Sequence, residues 1–151
     1  MARLEFSVEI AAPVKRVRAF FVPQRMPYWY GAEMAAEFEV QGGAADFAAG
    51  QKVRITGRVG RHEATLTAMI TRCETGRLLE WRFHDAYGVR GLQAWEIEDR
   101  GARTQVRMRE EYALPSDGWL ARAWDALVMR RSVARRDRLH LTKLKTLAER
   151  T

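Results

Sequence analysis

Apolar residues return at every second position over seven stretches of this chain, the pattern of strands that bury one face. In the first stretch Leu4, Phe6, Val8 and Ile10 share one side, with Glu5, Ser7 and Glu9 on the other. After "AAP", Pro13 suits the first turn of a helix through Val17, Phe20 and Phe21, which Pro23 stops. Period two then resumes with Phe38 and Val40, with Val53, Ile55 and Val59, and with Leu66, Ala68 and Ile70. It continues through Leu79, Trp81 and Phe83, then Trp95 and Ile97, and last Val106, Met108, Tyr112 and Leu114. The links between these stretches are short and rich in Gly and charge, so an antiparallel meander is expected. Pro115 and "SDG" end it. Asp117 is a candidate N-cap for a long helix from about Gly118 to Glu149.

Two stripes share that helix. Leu120, Ala123, Trp124 and Leu127 form the first, with Arg131 next along it, and Val133, Leu141, Leu144 and Ala148 form the second. The drift between them predicts a bend or a change of packing partner near Ser132. A curved seven-stranded sheet has a concave side to cover, and only this helix is long enough to cover it. The first stripe, Trp124 included, is therefore expected to roof the sheet.

Between Arg25 and Met34 the chain reads "RMPYWYGAEM". Tyr28, Trp29 and Tyr30 are consecutive, so they cannot all face one core.

The order strand, short helix, six strands, long helix resembles the helix-grip fold of the START and Bet v 1-like superfamily, in its bacterial polyketide cyclase/dehydrase-like and lipid-transport-like branch. The residues that carry the resemblance are "FSVEIAAPVKRVRAFF", the aromatic segment "MPYWYG" and the closing helix. It implies an α+β fold, one START/Bet v 1-like domain over 1–151, with one or two short helices between strands 1 and 2. It also implies an elongated apolar cavity between sheet and long helix. Trp29 would then pack inward at the cavity's end, while Tyr28 and Tyr30 line the entrance or fill the seam with the helix, hydroxyls near water. All three plugging the barrel end is the alternative.

Polar residues on inward faces are the candidate chemistry. Alternation from Val106 and Met108 turns Glu110 inward, alternation back from Trp95 turns Gln93 inward, and Asp85 follows Phe83 near a strand end. A buried carboxylate needs a partner, and Arg131 is the cation the first stripe offers. A bulge at "REEY" that turns Glu110 outward, or an Arg131 that snorkels to water, is the competing reading. The candidate ligand-binding set is thus Tyr28, Trp29, Tyr30, Trp81, Phe83, Gln93, Trp95, Met108, Glu110, Tyr112, Trp124 and Arg131. Catalytic residues are not assigned.

Other chemistry finds little footing. Cys73 is the single cysteine, and His62, His84 and His140 fall on different elements, none evidently inward. Zinc spacings, a nucleophile elbow and a phosphate loop are missing, so no metal or cofactor is expected. The N-terminus alternates like a strand and no apolar run suits a membrane span, which makes the cytoplasm the expected compartment.

Charge adds one point. Of the net +7, the segment from Gly118 onward carries nine Lys or Arg against three acids, a local +6. That suits either a solvated helix face or weak contact with an anionic surface or acidic protein; specific nucleic-acid recognition is not expected. Three functions remain open: carriage of a hydrophobic molecule such as a lipid, polyketide-like or aromatic compound, catalysis of the aromatase/cyclase or dehydratase kind, and interaction through the basic helix as in Hsp90-activator-like proteins.

Overall fold

The computed structural model describes residues 2–116 and 118–150. The candidate cap Asp117 lies outside them. Seven strands form one antiparallel sheet: β1 (Ala2–Ile10), β2 (Glu37–Val40), β3 (Lys52–Val59), β4 (His62–Glu74), β5 (Leu78–Asp85), β6 (Arg90–Arg100) and β7 (Arg103–Ala113). Their spatial order, β1-β7-β6-β5-β4-β3-β2, follows from hairpins alone except that β1 pairs with the last strand. Between β1 and β2 lie the short helix α1 (Val14–Arg18) and two 3₁₀ turns, Met26–Tyr28 and Ala32–Met34. The expected α+β helix-grip architecture is what the chain adopts.

The inward faces carry the alternating residues that the sequence nominates. Val53, Ile55, Ala68, Ile70, Trp81, Phe83, Trp95, Val106, Met108 and Tyr112 are all buried. β7 keeps an unbroken register with both neighbours, Glu110 facing Leu4 on one side and Gln93 on the other. The bulge considered at "REEY" therefore does not form, and Glu110 stays inward. A register shift occurs instead on β4 between Ile70 and Arg72, where the Thr71 hydroxyl donates to the Glu80 carboxyl at 2.8 Å. Such a bulge bends a strand and adds to the sheet's curl.

The C-terminal helix departs from expectation in its first half. It comprises α2 (Trp119–Trp124), a wide π turn (Asp125–Met129) and α3 (Arg130–Glu149). Val133, Asp137, His140, Leu141, Leu144 and Ala148 are buried, whereas no residue of α2 or the π turn is. Trp124 is 59% exposed and Leu127 67%, so they do not roof the sheet. At about 100° per residue the Leu120–Leu127 stripe lies roughly a quarter turn from the Val133–Leu144 stripe, and the π turn between them, which turns less per residue, widens the offset, so one face cannot seat both. The longer second stripe takes the sheet, and the expected change of partner near Ser132 is where burial begins.

Gly91 marks a close approach inside the sheet. A Cβ there would lie 1.9 Å from the carbonyl oxygen of Glu111 and 2.8 Å from the Tyr112 Cα. Backbone cannot move aside as a side-chain tip can. Gly91→Ala is expected to lower stability by about 1–3 kcal/mol or more in chemical denaturation; an unchanged midpoint would show that β6 and β7 are not held this tightly.

Candidate functional site

On the concave face, polar side chains are joined beneath α3. Gln93 is fully buried on β6, and its Oε1 accepts from the Tyr30 hydroxyl at 2.7 Å and from Trp81 Nε1 at 2.8 Å. Its Nε2 donates to Glu110 Oε1 at 2.9 Å. Two donors on one side and a carboxylate on the other fix the amide's orientation, because a flipped amide would set NH₂ against N–H.

Glu110 meets its cation across the seam with α3, and that cation is Arg136. Arg136 Nη2 donates to both carboxylate oxygens, at 2.7 and 3.0 Å. Arg131, expected in this role, is exposed; it lies on the outer side of the helix with the misphased first stripe. Arg136 Nε and Nη2 also reach Asp137 Oδ1 at 3.3 and 3.2 Å. Asp137 Oδ2, by contrast, is buried without a partner. Burial pushes the Asp137 carboxyl up to about 8, with Arg136 opposing and the Glu110 charge adding to the rise. It therefore keeps its proton near neutrality.

The aromatic stretch divides among three environments. Trp29 is wholly buried and donates from Nε1 to the Phe20 carbonyl at 2.9 Å, tying the turn to the end of the first helical segment. Tyr30 is buried too, with ring neighbours Trp81 at 5.5 Å, Trp95 at 5.7 Å and His140 at 4.9 Å. It fills the seam with the long helix as one reading had it, but its hydroxyl faces Gln93 and not water; burial raises its pKa. Tyr28 is 58% exposed. Gly31 then adopts φ +75°, a turn that aims its N–H at His140 Nε2, 3.1 Å away.

His140 is the inward histidine that the sequence did not suggest. Its Nε2 also lies 3.0 Å from Glu33 Oε1. Burial lowers the ring's pKa, so the neutral imidazole accepts from Gly31; on protonation Nε2 becomes a donor to Glu33 instead. Asp137 and His140 are legible in hindsight: Asp137 stands four residues from both Val133 and Leu141, and His140 four before Leu144, polar positions on the buried stripe. Phe38 and Phe47 complete the ring cluster around Trp81, at 6.3 Å each. Trp81 and Trp95 meet edge to face at 4.8 Å, so the ring cluster is closed on itself.

Of the candidate set, Trp29, Tyr30, Trp81, Phe83, Gln93, Trp95, Met108, Glu110 and Tyr112 thus gather inside, while Tyr28, Trp124 and Arg131 do not. Tyr112 also bonds to Asp125 in the π turn. Asp85 instead caps its own turn, accepting from the N–H groups of Tyr87 and Val89 at 2.8 and 3.0 Å. Among the described residues no group of His, Cys, Asp and Glu is arranged to hold a metal, and no helix is long and apolar enough to cross a membrane.

A curled seven-stranded antiparallel sheet with a long C-terminal helix on its concave side is the Bet v 1-like fold. The chain belongs to the family described as polyketide cyclase/dehydrase and lipid transport, which it matches over residues 1–149. Among solved structures it is similar to the Zhui aromatase/cyclase of Streptomyces sp. R1128, at 20% identity and TM-score 0.72, covering 99% of this chain and 94% of that one. It is also similar to a protein of Rhizobium leguminosarum, at 16% identity and TM-score 0.76 over 99% and 95% of the two chains. Ara h 8.0201 aligns over 97% of both chains at 9% identity and TM-score 0.74. At such identities the likeness is one of fold. No curated protein matches the chain.

Two predictions follow from the ion pair and its neighbour. Glu110 is buried but the Arg136 side chain is 33% exposed, so the partners are unequal. Arg136→Met strands a buried carboxylate and is expected to cost about 3 kcal/mol or more; Glu110→Gln leaves the arginine its contact with water and should cost less. The double substitution should cost less than the sum, whereas additive losses under about 1 kcal/mol would place the pair in solvent.

For Asp137 the folded pKa, about 8, exceeds the unfolded value of about 3.9. Its contribution is complete below about pH 4 and is lost as pH rises through 8, because the folded state holds the proton longer. Asp137→Asn should therefore flatten the fall in stability between about pH 6.5 and 8, above the range in which His140 titrates. An identical slope in thermal melts of both proteins would refute the neutral carboxyl.

Proposed function

We propose that the protein binds a bulky or planar hydrophobic molecule bearing a hydroxyl or carbonyl group, in the interior between the sheet and α3. What carries this reading is the Asp137 Oδ2 atom, buried and unpaired beside a hydrogen-bonded network of Gln93, Glu110 and Arg136. Leaving such a group unsatisfied costs about 1–3 kcal/mol, which a polar ligand atom would recover. The surrounding rings offer apolar, flat surface, and a guest must part them because they already touch. Family membership supports the same reading without naming the ligand.

Asp137 and His140 favour a second reading, catalysis of the aromatase/cyclase or dehydratase kind. A carboxyl that retains its proton near neutrality can act as a general acid on a carbonyl in a dry interior. Turnover of a poly-β-keto thioester that falls as pH passes about 8 and disappears in Asp137→Asn would establish it.

Titration with the neutral probe N-phenyl-1-naphthylamine should quench tryptophan emission saturably, and native mass spectrometry should find a co-purifying apolar molecule. Trp95→Ala should weaken affinity for the probe by roughly tenfold, about 1.4 kcal/mol, and Trp124→Ala, outside the interior, should not. Absence of both saturable binding and a co-purifying molecule would end the carrier reading.

A further inference from the structure

The first half of the C-terminal helix bears apolar residues that the fold leaves uncovered. Trp119 is 76% exposed, Leu120 66% and Val128 43%, alongside Trp124 and Leu127. They form adjoining ridges, 119-123-127 and 120-124-128, on one side of the helix. Asp125, bound to Tyr112, shows that the opposite side is the one turned to the protein. Five exposed apolar side chains side by side on a basic protein mark a contact site.

Farther along the helix, the same side becomes cationic. Arg131 and Arg135 extend the first ridge and make no hydrogen bond or ion pair among the described residues. Arg138 lies over the Phe6 ring, 5.0 Å from its centre. These three arginines, with Arg130 and Ala134, wall a groove of about 550 Å³ whose floor is Leu4 and Phe6. From Trp124 to Arg131 the helix rises about 10 Å, at 1.5 Å per residue. That sets the arginines within about two turns of the apolar stretch, in reach of headgroup phosphates when the helix lies along a lipid interface.

We propose that this helix docks the protein on an anionic phospholipid bilayer, with Trp119, Leu120, Trp124 and Leu127 in the headgroup–acyl boundary and Arg131 and Arg135 on lipid phosphates. Tryptophan suits that boundary, and arginine pairs with phosphate in two-pronged fashion. Charge favours lipid over a second copy: a two-fold contact of this face brings no acidic group to Arg131 and Arg135, and with the helices parallel it would set like charges together. The site shares no residue with the interior network, so its test and that of ligand binding are independent.

The purified chain is sedimented with phosphatidylcholine vesicles, with or without phosphatidylserine, at low and high salt. Binding should require the anionic lipid, fall steeply with salt, and shift tryptophan emission to shorter wavelength. Trp119→Ala with Trp124→Ala, and separately Arg131→Glu with Arg135→Glu, should each weaken binding at least tenfold. All four sites are exposed, so unchanged circular dichroism is expected. Equal binding to both vesicle types, or binding unaffected by either pair, overturns the proposal. So does a dimer that Trp124→Ala dissolves while vesicles are ignored, or capture by polyglutamate without vesicle binding.

Discussion

The need to neutralise Glu110 constrains this molecule more than any other single contact. It sits on the concave face of the sheet with buried Met108 and Tyr112 two residues away on either side. A carboxylate there is tolerable only if a cation reaches it, and β1, β6 and β7 place no basic side chain on that face. α3 must provide one, and Arg136 does. Arg136 Nη2 is held between both Glu110 oxygens and its guanidinium also reaches Asp137, so the ion pair also sets the helix's rotation about its own axis. With Arg136 on Glu110, Val133, His140, Leu141 and Leu144 come onto the sheet together. The same rotation leaves the Leu120–Leu127 stripe facing away, and the π turn, held by Asp125 on Tyr112, keeps it there.

The three consecutive aromatics gain their meaning from this arrangement. Their backbone runs through a 3₁₀ turn into Gly31, whose positive φ an L-residue rarely adopts. That turn sends Trp29 toward Phe20 and Trp95, Tyr30 toward Gln93 and α3, and Tyr28 out to water. The Gly31 N–H on His140 then ties this segment to the helix directly. Edge-to-face ring pairs of this kind contribute about 0.5–1.5 kcal/mol each beyond burial. Much of the interior's specificity thus comes from one short segment between β1 and β2.

The sheet could be read from the sequence because strand alternation is strictly local: each residue's face follows from its neighbours two places away. Glu110 and Gln93 were found by that rule alone. Helical phase is not local in this sense. Each of the two stripes is consistent by itself, and only the seating of the whole helix decides between them; Arg131 and Arg136, five residues apart, were both available cations. Asp137 and His140 carried a signal, polar residues on a buried stripe, that competes with the many polar residues helices show to water. The bulge at Thr71 has no counterpart in the alternation, since it depends on how β4 and β5 meet.

The two ends of the interior are fastened differently, and this bears on how a guest could enter. At the Trp29 end the ties include the partly buried bond from Trp29 to the Phe20 carbonyl and the buried one from Gly31 to His140, with Lys145 on the Glu9 carbonyl farther along α3. At the other end α3 is held by Arg130 on the Arg3 carbonyl, an exposed contact, and the π turn by Asp125 on Tyr112. Exposed hydrogen bonds and uncovered apolar residues belong to the parts of a protein that open at least cost. Displacement of Asp125 would free Tyr112, a buried side chain next to the aromatic interior. The surface proposed to meet lipid lies on that same stretch of helix, so docking would bring a reservoir of hydrophobic molecules beside the end of the fold where the helix is least covered.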